Sequence, residues 1–321
     1  MKLREITPEE LNPEAYAEEQ AREIRRAVGD GTAINALSGG VDSSVVTLLG
    51  HRALGDRLHT VFVENGLMRD GEADRIVKLF AGLDVKVELV RAEDVFFGAL
   101  AGLTDPEQKR EAITRAFYQD VFGRLVRGGG AKHLLQGTNL TDVEETVAGV
   151  KRQHNILSQL GIDPERRYGY RVIEPVLCLR KAAIRRLGRA LGLPGELCGR
   201  PPFPGPALAA RVVGEVTPER VALIRRATAI VEELLEGSGA FQYLAILHED
   251  RVTGMRDGKR EFGCQVEVRC WDSEDARTGR PTRLSFDLLD TMAARITGEV
   301  PGVVSVTYNV TTKPPSTIEA I

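Results

Sequence analysis

Short apolar runs alternate with amphipathic stretches along the amino-terminal part of the chain. Asn12-Pro13 supplies a cap followed by proline at a first helical position, and Glu and Ala recur at helical spacing up to Val28, where Gly29-Asp30-Gly31 stops the helix. Ala33-Ile34-Asn35 predicts a buried strand and Val45 to Leu49 a helix. Leu58 to Val63 is a second strand, Asp70 to Leu83 a helix and Val85 to Val90 a third strand. The text after Asp94 is helical to Arg127, and Gly128-Gly129-Gly130 separates it from a buried strand at His133 to Gln136. Tyr170 to Pro175 is a further strand, followed by a basic helix from Lys181 to Leu193. Strands alternating with helices imply a parallel sheet, with ligands gathering at its carboxyl edge. The stretch from Val150 to Tyr170 has weak periodicity and reads as a lid.

The pattern then changes. Arg200 to Pro206 packs four prolines into seven residues and reads as a stiff linker. Beyond it, Thr217-Pro218-Glu219 opens a helix to about Glu236. Strand-like runs follow at Tyr243 to Leu247, Phe262 to Cys270 and Val303 to Val310, with a helix near Leu284 to Thr297. The expected fold class is therefore α/β: a parallel-sheet domain over 1–200, followed by a smaller α+β domain with an antiparallel sheet over 201–321.

Composition narrows the function. A formal charge of −3 argues against a nucleic-acid binder driven by bulk charge. The N-terminus lacks the apolar core of a signal peptide, and no apolar run approaches the roughly 20 residues of a membrane span, so a cytoplasmic protein without a membrane partner is expected. Cys178, Cys198, Cys264 and Cys270 show no zinc spacing, which predicts reduced thiols.

The chemistry concentrates at residues 36–44, Ala-Leu-Ser-Gly-Gly-Val-Asp-Ser-Ser. A strand that ends in Ser38-Gly39-Gly40 and turns into a helix aims backbone N–H groups and a positive dipole end at one spot, which suits a phosphate or pyrophosphate. Ser38, Ser43 and Ser44 add hydroxyls, and Asp42 would repel a bare phosphate unless Mg²⁺ is shared between them. The loop lacks the Gly-Lys-Ser/Thr ending of a Walker motif. It resembles instead the PP-loop of ATP pyrophosphatases, which break ATP between the α- and β-phosphates.

Further stretches resemble the ATP-pyrophosphatase and dimerisation regions of GMP synthetases: VFVENGLMR at 61–69, QGT at 136–138, IEP at 173–175, PFPGPALAAR at 202–211, EVPGV at 299–303 and KPPSTIE at 313–319. The resemblance implies a PP-loop ligase that uses ATP and Mg²⁺ to adenylate XMP, after which ammonia displaces AMP. It assigns ATP to Ser38, Gly39, Gly40, Val41, Asp42, Ser43, Ser44, Val63, Gly137 and Thr138. Catalysis falls to Asp42, Lys181, Lys151 and His154, the last two within a lid that also holds Asn155. Metal binding falls to Asp42, Asp142 and Glu145, and substrate binding to Arg200, Pro204, Gly205, Lys313, Ile318 and Glu319. A homodimer is implied. Only 37 residues precede Ser38, so the resemblance leaves ammonia to a separate glutamine amidotransferase subunit or to free ammonium.

The chain departs from the family pattern at Glu64-Asn65, Arg152-Gln153, Leu177-Cys178 and Ala182-Ala183. Cys178, at the sheet edge near Lys181, supports a competing reading in which another substrate is adenylated for sulfur insertion.

Overall fold

A computed structural model describes residues 4–147, 165, 169–200, 203–274 and 277–320, with only the backbone described at 127 and 145–147. The chain forms two compact units. The first contains residues 1–64, 72–92 and 117–200. The second contains 65–71, 93–116 and 201–321. Where the sequence suggests one cut near residue 200, the second unit thus also takes in two earlier segments.

In the first unit the helix Pro13–Val28 starts as its sequence dictates: the Asn12 side chain accepts the Ala15 N–H at 3.1 Å, and Gly29 closes it with φ +58°. Ala17, Ala21, Ile24 and Val28 recur at helical spacing and are buried. Five parallel strands follow, β1 (Ala33–Ala36), β2 (Leu58–Glu64), β3 (Val87–Arg91), β4 (His133–Leu135) and β5 (Arg171–Ile173), ordered β3-β2-β1-β4-β5. The chain builds outward from β1 in one direction through β2 and β3, then returns to β1's other side with β4. The crevice between β1 and β4 is therefore the switch point of the sheet, where open α/β sheets bind ligands.

Buried polar groups in this sheet are paired. Asn35 on β1 donates to Thr47 Oγ1 at 2.7 Å and accepts from Thr60 Oγ1 at 2.8 Å, tying the helix Val41–Leu54 and β2 to the central strand. Ile34, Val61, Phe122, Leu134 and Tyr170 form an apolar cluster around these strands. The long helical stretch expected after Asp94 is broken by the Asp105-Pro106 cap into Glu93–Leu100 and Pro106–Arg115, and passes through a π-helical segment, Ala116–Phe122. The expected lid lies almost entirely outside the described residues, with Lys151, His154 and Asn155.

The second unit carries the helix Pro218–Leu235, capped by Thr217 Oγ1, against a four-stranded sheet. β6 (Gln242–Arg256) and β7 (Lys259–Asp272) form a long antiparallel hairpin. Its two-residue turn, Asp257-Gly258, has φ +49° and +75°, the paired left-handed conformations that match strand twist. β8 (Arg280–Pro281) is antiparallel to β7. β9 (Val303–Tyr308) departs from the expected antiparallel order: it runs parallel to β7, because the helix Phe286–Glu299 carries the chain back before it begins. Leu244, Ile246, Trp271 and Ile318 form a core cluster.

The proline-rich stretch does not behave as a free linker in its described part. The Phe203 ring lies under the Arg69 guanidinium at 3.9 Å and the Arg211 guanidinium at 4.9 Å, and Ala207–Arg211 is buried. Cation–π contact and burial fix this segment inside the second unit.

Candidate active site

β1 ends where the loop Ser38-Gly39-Gly40 begins, and the helix Val41–Leu54 starts directly after it. Gly39 has φ +78°, open to glycine at no steric cost. Ser43 Oγ organises the loop: it accepts the Ser38 N–H at 3.1 Å, lies 2.9 Å from Ser38 Oγ and donates to the Gly40 carbonyl at 3.0 Å. Ser44 Oγ donates to the same carbonyl at 2.8 Å. Gly40, at the cap position, offers no side chain to the first helical turn. The dipole end and its amide groups are thus left for an anion, with Val41, Asp42 and Ser43 in that turn.

β4 brings Gln136-Gly137-Thr138 alongside. A Cβ at Gly137 would come within 3.2 Å of the Asp42 Cβ and Ser43 N, so glycine lets the two chain segments close up. Thr138 is buried and its Oγ1 accepts from Gln136 Nε2 at 3.2 Å. Val63 is a buried residue near the end of β2.

Asp42 is the electrostatic hub. Its Oδ2 pairs with Lys181 Nζ, from the start of the helix Lys181–Ala190, and accepts from Asn139 Nδ2 at 3.4 Å. Its Oδ1 is buried with no hydrogen-bond partner among the described residues. A buried carboxylate oxygen left open beside a phosphate-type cradle has the hard-oxygen chemistry of an Mg²⁺ ligand. Asp142 acts locally. Its Oδ2 accepts the Asn139 N–H at 3.1 Å, while Asn139 Oδ1 accepts from the Thr141 and Asp142 N–H groups. This reciprocal cap starts the helix Leu140–Val147. The Glu145 side chain lies outside the described atoms. Among the described residues no three His, Cys, Asp or Glu side chains cluster as a self-sufficient metal site, so phosphate oxygens would have to complete a Mg²⁺ shell, the usual arrangement for that ion.

Arg200 is engaged within its own unit. Its Nη1 and Nη2 donate to the two oxygens of Glu72 at 2.5 and 2.7 Å. Pro204 and Gly205 form a turn closed by the Ala207 N–H on the Pro204 carbonyl at 2.9 Å. Lys313 exchanges backbone hydrogen bonds with Gly279 at 2.8 and 3.0 Å. Ile318 is a core residue rather than an open surface. Glu319 accepts from Gln242 Nε2 at 2.6 Å and from Arg211, whose side chain is fully buried, at 3.3 and 3.4 Å.

Sequence reasoning misses Asn139, Glu72, Gln242 and the buried Arg211 as members of these networks. Asn139 follows Gln136-Gly137-Thr138 and precedes Asp142 by three, a cap signature available in the sequence. The others are joined to their partners only by the fold.

A parallel sheet with a Ser/Gly cradle and an Asp-Lys pair at its switch point defines a nucleotide-binding α/β protein of the phosphate-cradling class. A family model described as "GMP synthase C terminal domain" matches residues 232–320. One of the two component chains of the glutamine-hydrolyzing GMP synthase of Archaeoglobus fulgidus is 44% identical over 96% of this chain and 99% of its own length. The corresponding component from Methanoculleus marisnigri is 46% identical over 96% and 99%. An NH3-dependent NAD synthetase structure from Campylobacter jejuni aligns with TM-score 0.47 and 15% identity over 59% of this chain and 78% of its own. The chain belongs to the family of these GMP synthase components.

No helix of the described residues is long and apolar enough to cross a membrane. Cys178 is partly exposed, and its carbonyl accepts the Ile6 N–H at 3.0 Å. The family membership disfavours the sulfur-insertion reading.

Proposed function

We propose that this chain is the ATP-pyrophosphatase subunit of a GMP synthase, a ligase that forms a C–N bond by aminating XMP to GMP with release of AMP and pyrophosphate. An oxygen of the xanthine base attacks the α-phosphorus of ATP, pyrophosphate departs, and ammonia then displaces AMP from the adenylated base. The observation that carries the reading is the first turn of Val41–Leu54, left without a side-chain cap beside the open Oδ1 of Asp42.

The cradle from Ser38 to Ser44, with Gly137, Thr138 and Val63 nearby, holds the nucleotide. Its amide groups face charge that grows on the departing pyrophosphate. Lys181 contacts that pyrophosphate, and Asp42 holds Lys181 in place until it does. Mg²⁺, when bound, neutralises phosphate charge; Asp42 would hold it through Oδ1, with Asp142 and Glu145 on the neighbouring helix as further candidates. Lys151 and His154 are assigned to closing over the adenylate. Lys313, Glu319, Ile318, Pro204 and Gly205 are assigned to XMP, and Arg200 is carried with them by resemblance.

Ammonia comes from a separate glutamine amidotransferase subunit, in keeping with relatives that are single components of a glutamine-hydrolyzing enzyme. Water-soluble phosphorylated substrates fit a cytoplasmic setting. A homodimer is proposed as well: Phe262 and Met255 are 67% and 66% exposed and fall on one face of the β6–β7 ribbon, an apolar surface a second copy would cover.

The test mixes protein, ATP, Mg²⁺, ammonium and XMP and follows AMP, pyrophosphate and GMP. Stoichiometric AMP, pyrophosphate and GMP are expected. Release of ADP, or AMP release indifferent to XMP, overturns the reading.

A further inference from the structure

Glu72 opens the helix Glu72–Ala81 and is 3% exposed. A carboxylate buried to that degree requires a cationic partner. Arg200 meets it fork to fork, Nη1 on Oε1 at 2.5 Å and Nη2 on Oε2 at 2.7 Å. Arg75 stands farther off, 3.7 Å from Oε1.

The position of this pair gives it significance. Gly39, the central residue of the cradle, rests directly on Glu72: a Cβ there would lie 2.8 Å from Glu72 Oε1 and 3.4 Å from two carbons of Ile76. The left-handed φ of Gly39 decides where the neighbouring N–H groups point. A bare carboxylate at that distance would also repel incoming phosphate charge.

We propose that Glu72 and Arg200 are positioning residues of the nucleotide site: locked together, they form the floor that sets the Gly39 peptide, while Arg200 cancels the buried carboxylate's charge. This rests on the reading of the loop as an ATP cradle. It moves Arg200 from the XMP phosphate to ATP, because an arginine with both fork nitrogens on a buried carboxylate strands that carboxylate if it leaves.

The experiment measures ATP and XMP KM values, AMP release and thermal unfolding for Glu72→Gln, Arg200→Ala, Arg200→Lys and the double variant Glu72→Gln/Arg200→Ala. Glu72→Gln and Arg200→Ala are each expected to raise the ATP KM about tenfold, with the XMP KM within about twofold of the parent. The double variant should be no worse than Arg200→Ala, since both remove one interaction. Arg200→Lys should recover only part of the loss, because an ammonium cannot make the two-pronged contact. If Arg200→Ala does not fold, Glu72→Gln and Arg200→Lys carry the same ATP-versus-XMP comparison. A raised XMP KM with unchanged ATP KM in the arginine variants overturns the proposal, and so does a silent Glu72→Gln. Failure of the parent protein to release AMP would instead condemn the cradle reading itself.

Discussion

Asp42 and Lys181 are separated by 139 residues and meet as an ion pair at the carboxyl edge of the parallel sheet. The lysine is half exposed, so the pair contributes little to stability and its value is placement. Lys181→Met should lower the rate of pyrophosphate release about 100-fold while leaving the unfolding midpoint nearly unchanged. Stopped-flow phosphate detection coupled to a pyrophosphatase checks this; a loss confined to XMP affinity would reject the assignment.

Gly39→Ala tests the loop's backbone. The new methyl would require φ near +78° and would press on Glu72 Oε1, so the cradle must shift. A destabilisation of about 1–2 kcal/mol is expected, with ATP binding weakened more than XMP binding. Calorimetric titration of both nucleotides separates the effects.

Glu267 sets an acid limit for the second unit. Burial pushes its carboxyl up, but hydrogen bonds from His248 and Arg269 outweigh that and hold it at about 2 against an ordinary 4.5. The unfolded chain therefore takes up this proton first as acid is added. The stabilisation is complete above 4.5 and is lost as pH falls from there toward about 2. Glu267→Gln should flatten the decline of stability with acid across that window, read by denaturant titrations at stepped pH. An unchanged slope would exclude Glu267 as its source.

Lys109 behaves in the opposite direction. Its ammonium is buried and donates to the Val212 and Gly214 carbonyls at 2.9 and 2.8 Å. Burial, helped by Arg220, lowers it from 10.5 to about 8. Between those values the unfolded chain binds more protons, so this group's contribution to stability rises with pH. Lys109→Met should cost about 2 kcal/mol at neutral pH by stranding two carbonyls, with a gap to the parent that widens on alkalinisation. A constant gap would count against the assignment.

Features with local causes are legible in the sequence. Asn12-Pro13 and Thr217-Pro218 announce their helices because cap and first turn are neighbours in the chain. The cradle is legible for the same reason, since strand, glycines and helix are consecutive. The sequence pattern marks β6 only to Leu247, although it runs to Arg256, because Glu249 to Arg251 are exposed and the apolar alternation of a half-buried strand is missing there. Asp257-Gly258 is an available hairpin signal, but polar flanks obscure it. The Glu72–Arg200 contact spans 128 residues and has no local signature. Ile318 reads as a substrate contact by resemblance, whereas its surroundings are Leu244, Ile246 and Trp271.

The second unit is assembled from three separate lengths of chain. A polypeptide starting at residue 201 would lack the Lys109 ammonium that ties down the Val212 and Gly214 carbonyls, and Arg225 would lose its acceptors on Gly66 and Met68. During synthesis, residues 65–71 and 93–116 leave the ribosome well before the sheet they are to join exists. They must wait unpaired for their own partners, and no single proteolytic cut can release this half of the molecule whole.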